Sequence, residues 1–175
     1  MSRKKVVLLD LDMRKPKLNI PFTIPDPQKG VSTALIRKYN IEDCIIPTGL
    51  ENFDYIPAGP HPPNPSELLM NGDFTAVVNK LKELYEFVII DTPPVGLVTD
   101  GIMAMKKTDV TIYVVRANYS KRDFLQNIER IQKLHKINNI SVVLNALPAN
   151  NRMYGYGYYE DQTPVKKSWK NILRG

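Results

Sequence analysis

Asp10 and Asp12 stand two residues apart at the end of the apolar run Val6-Val7-Leu8-Leu9, with Arg14 following. If the backbone stays extended, both carboxylates project to one side of the chain and Arg14 is next in that alternation. A third acid, Asp91, closes a second apolar run, Phe87-Val88-Ile89-Ile90. Carboxylates gathered at strand ends repel one another, and a cation such as Mg²⁺ with a phosphate ligand is a common physical reason for such a cluster. Singly, each aspartate is an ordinary turn residue: Asp10 and Asp12 would only begin a turn, and Asp91 would cap the loop Thr92-Pro93-Pro94. The conjunction of the three points to phosphate chemistry. A second group with chemical potential is Tyr154, Tyr156, Tyr158 and Tyr159, four of the nine tyrosines within six residues and spaced by Gly155 and Gly157. Glycine keeps such a segment flexible and removes side-chain bulk, an arrangement useless to a core and suited to presenting phenols. The bland alternative is an adhesive tail or an aromatic edge strand, which the glycines disfavour.

The elements that must position these groups follow from hydrophobic patterning. Four short apolar runs end on polar residues: the two already named, Val110 to Val115 ending at Arg116, and Ile140 to Leu144 ending at Asn145. Their continuous hydrophobicity predicts strands buried on both faces, and ligands of open α/β sheets bind outside the carboxyl ends of such strands. Segments of helical period lie between them. Asp73 is placed to cap a helix through Leu84, and Ser120 to cap one carrying Phe124, Ile128, Ile131 and Leu134 as a core stripe. Alternation of this kind predicts an α/β fold, a three-layer, mostly parallel sheet with helices on both faces. Residues 16 to 65 hold ten of the fourteen prolines. That stretch reads as an ordered surface excursion leading into a short helix at Ser66-Glu67-Leu68-Leu69. From residue 150 the aliphatic content drops, so the reading is one domain over 1–149 and a flexible tyrosine-rich tail over 150–175.

Composition narrows the function classes. With 175 residues and 43% hydrophobic content, one globular domain can bury a core. The single cysteine, Cys44, excludes an internal disulfide framework or a cysteine-built zinc site, and His61 and His135 are scattered; a reducing compartment is expected. No apolar run approaches the roughly 20 residues needed to cross a bilayer, and the start is too short for a signal peptide, so the polypeptide itself is expected to be soluble. The net charge is +6, but residues 151–175 carry +3 of it. No Lys/Arg stripe runs along a helix of the body, which argues against nucleic acid as a partner.

Leu8-Leu9-Asp10-Leu11-Asp12-Met13-Arg14-Lys15-Pro16 resembles the second, A-prime Walker motif of bacterial tyrosine kinases, and Phe87-Val88-Ile89-Ile90-Asp91-Thr92-Pro93-Pro94 resembles their Walker B motif. Partitioning and division-site ATPases of the deviant Walker class share weaker versions of both. Pro62-Pro63-Asn64-Pro65-Ser66-Glu67-Leu68-Leu69 and the closing tyrosine cluster resemble the kinases specifically. The resemblance implies a P-loop NTPase-like fold and a transferase that uses ATP and Mg²⁺ to phosphorylate its own C-terminal tyrosines in trans, within machinery controlling the polymerisation and export of capsular or exopolysaccharide. By it, Asp91 holds Mg²⁺ through water, Asp12 stands beside the metal, Asp10 accepts the tyrosine proton, and Arg14 and Asn145 contact ATP; a strand-ending Asn145 in a plain turn is an equal reading. It also implies a cytoplasmic position at the inner face of the plasma membrane through a fused or separate membrane activator, the chain-length determinant. Neighbouring kinase subunits in a ring and a tyrosine phosphatase are the other implied partners.

The chain departs from that pattern in one respect that matters for chemistry. A G-x-x-x-x-G-K-[ST] loop, whose backbone N–H groups and lysine cradle phosphates, does not occur; Lys29-Gly30-Val31-Ser32-Thr33 is the nearest string and lacks the first glycine. In the family that loop follows a strand upstream of the A-prime motif. The expectation is therefore an N-terminally incomplete kinase domain, inactive by itself, with an unpaired edge in its sheet. Two other readings compete: a deviant-Walker ATPase switch without kinase activity, and a non-catalytic scaffold or phosphoacceptor.

Overall fold

Strand β1, Val6–Asp10, lies between two parallel neighbours, β3 (Phe53–Ile56) and β4 (Phe87–Asp91), and β2 (Ile46–Leu50) pairs antiparallel with β3 on the far side. This computed structural model of the chain describes residues 3–18, 23–70, 73–95, 100–120 and 123–147. A second, two-stranded parallel ladder joins β5 (Thr111–Arg116) to β6 (Ile140–Asn145). The result is a mostly parallel sheet with helices, as the alternating pattern predicts. Among the described residues no ladder joins β4 to β5, so the sheet is divided.

The helices are α1 (Val31–Leu35), α2 (Pro65–Met70), α3 (Asp73–Leu84), α4 (Asp100–Met105) and α5 (Asp123–His135). Helix α3 buries Phe74, Val77, Val78 and Leu81 at the spacing of one face, and these meet Val7, Leu9 and Leu11 in the main core. Asp73 sits in the first turn, where its carboxylate accepts hydrogen bonds from Arg37. Helix α5 turns Ile128 and Ile131 inward but leaves Leu134 65% exposed, so the core stripe expected there is shorter. Ser120 accepts the Arg116 N–H rather than opening the helix; the side chain of Phe124 lies outside the described set.

Two expectations need correction. The proline-rich stretch is no mere excursion, because it contains β2 and β3, and β3 is the direct neighbour of β1. Burial on both faces holds only for β1: Phe87 and Ile89 of β4, Ile112 and Val114 of β5, and Val142 to Leu144 of β6 are about half exposed or more. Among the described elements, no layer covers the face that carries Phe87 and Ile89 of β4 or the one that carries Ile112 and Val114 of β5.

Where the chain leaves β3 it crosses the start of α1. The Val31 and Ser32 N–H groups donate to the carbonyls of Pro57 and Ala58, both at 2.9 Å. A Cβ on Gly30 would stand 2.4 Å from Gly59 N and 2.6 Å from the Pro57 oxygen, so only glycine permits this approach.

Candidate active site

Four strand ends fall into two registered pairs. Asp10 of β1 lies opposite Asp91 of β4, and Arg116 of β5 lies opposite Asn145 of β6. One further ladder bond, from the Leu11 N–H to the Asp91 carbonyl (2.9 Å), carries the first pairing past the strand. The chain then turns: the Met13 N–H returns to the Leu11 carbonyl at 2.9 Å. The ladder therefore stops at Leu11: Asp10 ends the strand and Asp12 stands on the turn that follows.

Their surroundings differ accordingly. Asp10 has no solvent exposure; its Oδ1 accepts the Asp12 N–H at 3.0 Å and its Oδ2 the Tyr55 hydroxyl at 3.3 Å. Burial, reinforced by the charges of Asp91 and Asp12, pushes the Asp10 carboxyl up to about 6 against the hydrogen bonds that hold its anion. Tyr55 is pushed up in turn, first by burial and then by the Asp10 charge. Asp12 is half-buried on the turn, its Oδ1 accepting the N–H groups of Arg14 (3.2 Å) and Lys15 (3.0 Å). That is an Asx turn, so the turn-forming role of Asp12 is realised together with its place in the acidic group. Asp91 is exposed as a residue, but partial desolvation of its carboxyl group, together with the Asp12 charge, raises its proton affinity above the ordinary aspartate value.

Arg14 points to a partner that sequence reasoning missed. Its Nε donates to Asp100 Oδ2 at 3.2 Å and its Nη2 to Ser66 Oγ at 3.0 Å, while the Ser66 hydroxyl donates to Asp100 Oδ1 at 2.5 Å. Asp100 is 1% exposed. The signal available beforehand was Ser66 inside the Pro-Pro-Asn-Pro-Ser-Glu string; nothing near Asp100 marked it. Asn145, exposed at the end of β6, accepts the N–H of Ala146 at 2.7 Å, the geometry of a turn. Tyr154, Tyr156, Tyr158 and Tyr159 lie outside the described residues.

Three carboxylates at adjoining strand ends fit a hard divalent cation, because carboxylate oxygen suits Mg²⁺ and a cation would offset the mutual repulsion that adds to burial in raising Asp10 and Asp91. Among the described residues no three acid, histidine or cysteine side chains are placed to hold a metal by themselves. Asp12 and Asp91 would therefore hold it with water and a phosphate, the usual manner of Mg²⁺.

A sequence profile for the AAA-domain family matches residues 1–144. CapB of Staphylococcus aureus, a candidate tyrosine-protein kinase, is 34% identical over 158 residues, which are 90% of this chain and 69% of CapB. The tyrosine-protein kinase CpsD of Streptococcus agalactiae is 29% identical over 93% of this chain and 72% of its own length. The chain belongs to the bacterial tyrosine kinases. The solved kinase domain of the Escherichia coli tyrosine kinase ETK superposes with a TM-score of 0.78 at 28% identity, over 91% of this chain and 62% of that one. The chain thus spans under two thirds of that solved domain. By membership in this kinase family it is a transferase with a P-loop NTPase-like fold.

Proposed function

We propose that this chain is the catalytic region of an autokinase that moves the γ-phosphate of ATP onto Tyr154, Tyr156, Tyr158 and Tyr159. The observation that carries the reading is the registered pair Asp10 and Asp91 with Asp12 on the adjoining turn, in a chain of the tyrosine-kinase family. The phenol oxygen attacks the γ-phosphorus, the bond to the bridging oxygen of ADP breaks, and the phenol proton goes to Asp10. A phenol near pKa 10 is a poor nucleophile at neutral pH, and a carboxylate titrating at about 6 is a stronger base than an ordinary aspartate. Asp10 has no solvent exposure in this structure, so in this reading a local opening around it precedes proton transfer. Asp12 and Asp91 would hold Mg²⁺, which when bound neutralises charge on the transferred phosphate. Asn145 and Arg14 face the nucleotide in this reading, Arg14 through the donor groups that Asp100 and Ser66 leave over.

Four phosphates at about −1.5 to −2 each would overturn the +3 of the tail, so phosphorylation would turn attraction to an acidic site into repulsion. We place this switch at the inner face of the plasma membrane, in polysaccharide polymerisation and export. Its partners would be a fused or separate membrane activator, neighbouring subunits phosphorylated in trans, and a tyrosine phosphatase. The 175 residues contain no G-x-x-x-x-G-K-[ST] string, so by themselves they offer ATP acids without that cradle. Residues 1–175 alone are accordingly expected to bind ATP-Mg²⁺ weakly.

Mass spectrometry of the active protein after incubation with ATP-Mg²⁺ tests the acceptor assignment. Phosphate is expected on the four tail tyrosines; phosphate confined to Tyr39, Tyr55, Tyr85 or Tyr113 would sink it. ATP hydrolysis with no phosphotyrosine would instead favour a switch ATPase.

A further inference from the structure

Arg14, Ser66 and Asp100 come from three separate segments: the turn after β1, the first turn of α2, and the start of α4. Their hydrogen bonds close a ring. The guanidinium reaches one Asp100 oxygen and the Ser66 hydroxyl, and that hydroxyl donates to the other Asp100 oxygen. Both carboxylate oxygens are therefore engaged, as a carboxylate with 1% exposure requires. The planar fork of arginine makes this possible; lysine has a point charge and no fork. Arg14 is at the same time one of the two residues whose N–H groups hold the Asp12 carboxylate. Fixing the Arg14 side chain thus fixes the backbone on which Asp12 rests.

We propose that Asp100 and Ser66 are positioning residues of the active site, clamping Arg14 so that the Arg14 and Lys15 N–H groups hold the Asp12 carboxylate toward the end of β4. The inference rests on the reading above, in which Asp12 serves the metal and phosphate. The pair touches neither substrate nor nucleotide and acts through Arg14 alone. It also explains why the Pro-Ser-Glu start of α2 belongs to the same machinery as the A-prime turn: Ser66 is the hinge of the ring, accepting on one side and donating on the other.

The test follows the backbone amides of Arg14 and Lys15 and the carboxyl carbon of Asp12 by NMR, in the intact chain and in Ser66→Ala, Asp100→Asn and Arg14→Lys. Amide exchange at 14 and 15 is expected to speed up roughly tenfold or more, the consequence of loosening a charge-assisted hydrogen bond. The Asp12 carboxyl resonance should move while the amides of Val7 and Leu9 in β1 keep the parent's exchange rates. Ser66→Ala removes only a hydroxyl, so it reads the clamp even if Asp100→Asn folds poorly. Variants that fold with unchanged resonances at 12, 14 and 15 would overturn the proposal, whatever their melting temperatures, because a merely structural ring would lower stability without moving Asp12. These resonances are read without ATP, so absent phosphorylation would refute the kinase reading and leave the amide result standing.

Discussion

Replacing Asp10 by asparagine is expected to lower tail phosphorylation in the active protein by roughly 10²–10⁴-fold, the usual worth of a positioned general base, while the fold stays as stable as the parent or becomes more so. Asparagine keeps an oxygen for the Asp12 N–H, now at 3.0 Å, and a polar group for the Tyr55 hydroxyl. It loses only the charge, which is buried beside two other acids. The pH dependence separates this from a structural role. The folded state binds the Asp10 proton more tightly than the unfolded chain does, since the carboxyl sits at about 6 rather than 3.8. Asp10 thus favours the parent most below pH 4, and that contribution is lost as pH rises through 6. The gap of about two pH units corresponds to about 3 kcal/mol at most. Thermal melts of both proteins from pH 4 to 8 should show the variant gaining on the parent as pH rises. A variant that melts many degrees lower at pH 7.5, with activity per folded molecule intact, would make Asp10 a structural residue and displace the site.

The largest effect on stability is expected from Gly30→Ala. The added methyl would meet backbone, Gly59 N at 2.4 Å, Gly59 Cα at 2.5 Å and Pro57 O at 2.6 Å, none of which can turn aside as a side-chain tip can. Either the start of α1 or the exit of β3 must move, with the bonds from Val31 and Ser32 at risk. A cost of about 3 kcal/mol or more follows, at or beyond the upper end of overpacking penalties. In a chain of this size that is a fall of roughly 6–12 °C in Tm. Gly49→Ala is the control: its φ of +81° strains an alanine, but nothing lies within 4 Å of the new methyl. It should cost only about 1 kcal/mol, the left-handed penalty. Equal losses at the two glycines would show that the crossing relaxes around the new methyl at little cost.

The parts legible in the sequence were those whose physics is local. β1, β4, β5 and β6 end where their apolar runs end, at Asp10, Asp91, Arg116 and Asn145, and α3 spans the expected Asp73–Leu84. β2 and β3 escaped notice because Pro47, Gly49 and Pro57 break up a stretch in which each strand is only four or five residues long. The pairing of β3 with β1 is decided by contacts some 45 residues away, which no window of periodicity contains. The same limit applies to the site. The grouping of Asp10, Asp12 and Asp91 could be read because each closes or follows an apolar run. The burial of Asp10 under Tyr55 could not, since it depends on β3, and Asp100 meets Arg14 across 86 positions.

The division of the sheet also bears on how the molecule opens. Strands β1, β3 and β4 pair across residues 6–10, 53–56 and 87–91, so none of the three can leave without breaking a long-range pairing. β5, α5 and β6 instead form one uninterrupted stretch of chain, and Ile131 and Ile137 form with Met105 of α4 a small cluster apart from the main core. Such a stretch has the makings of a separate cooperative unit, able to melt while the rest stays folded. Native-state hydrogen exchange should then give residues 111–145 a common opening free energy below that of Val7 and Leu9. Arg116 and Asn145 would come and go with that unit, independently of the three aspartates.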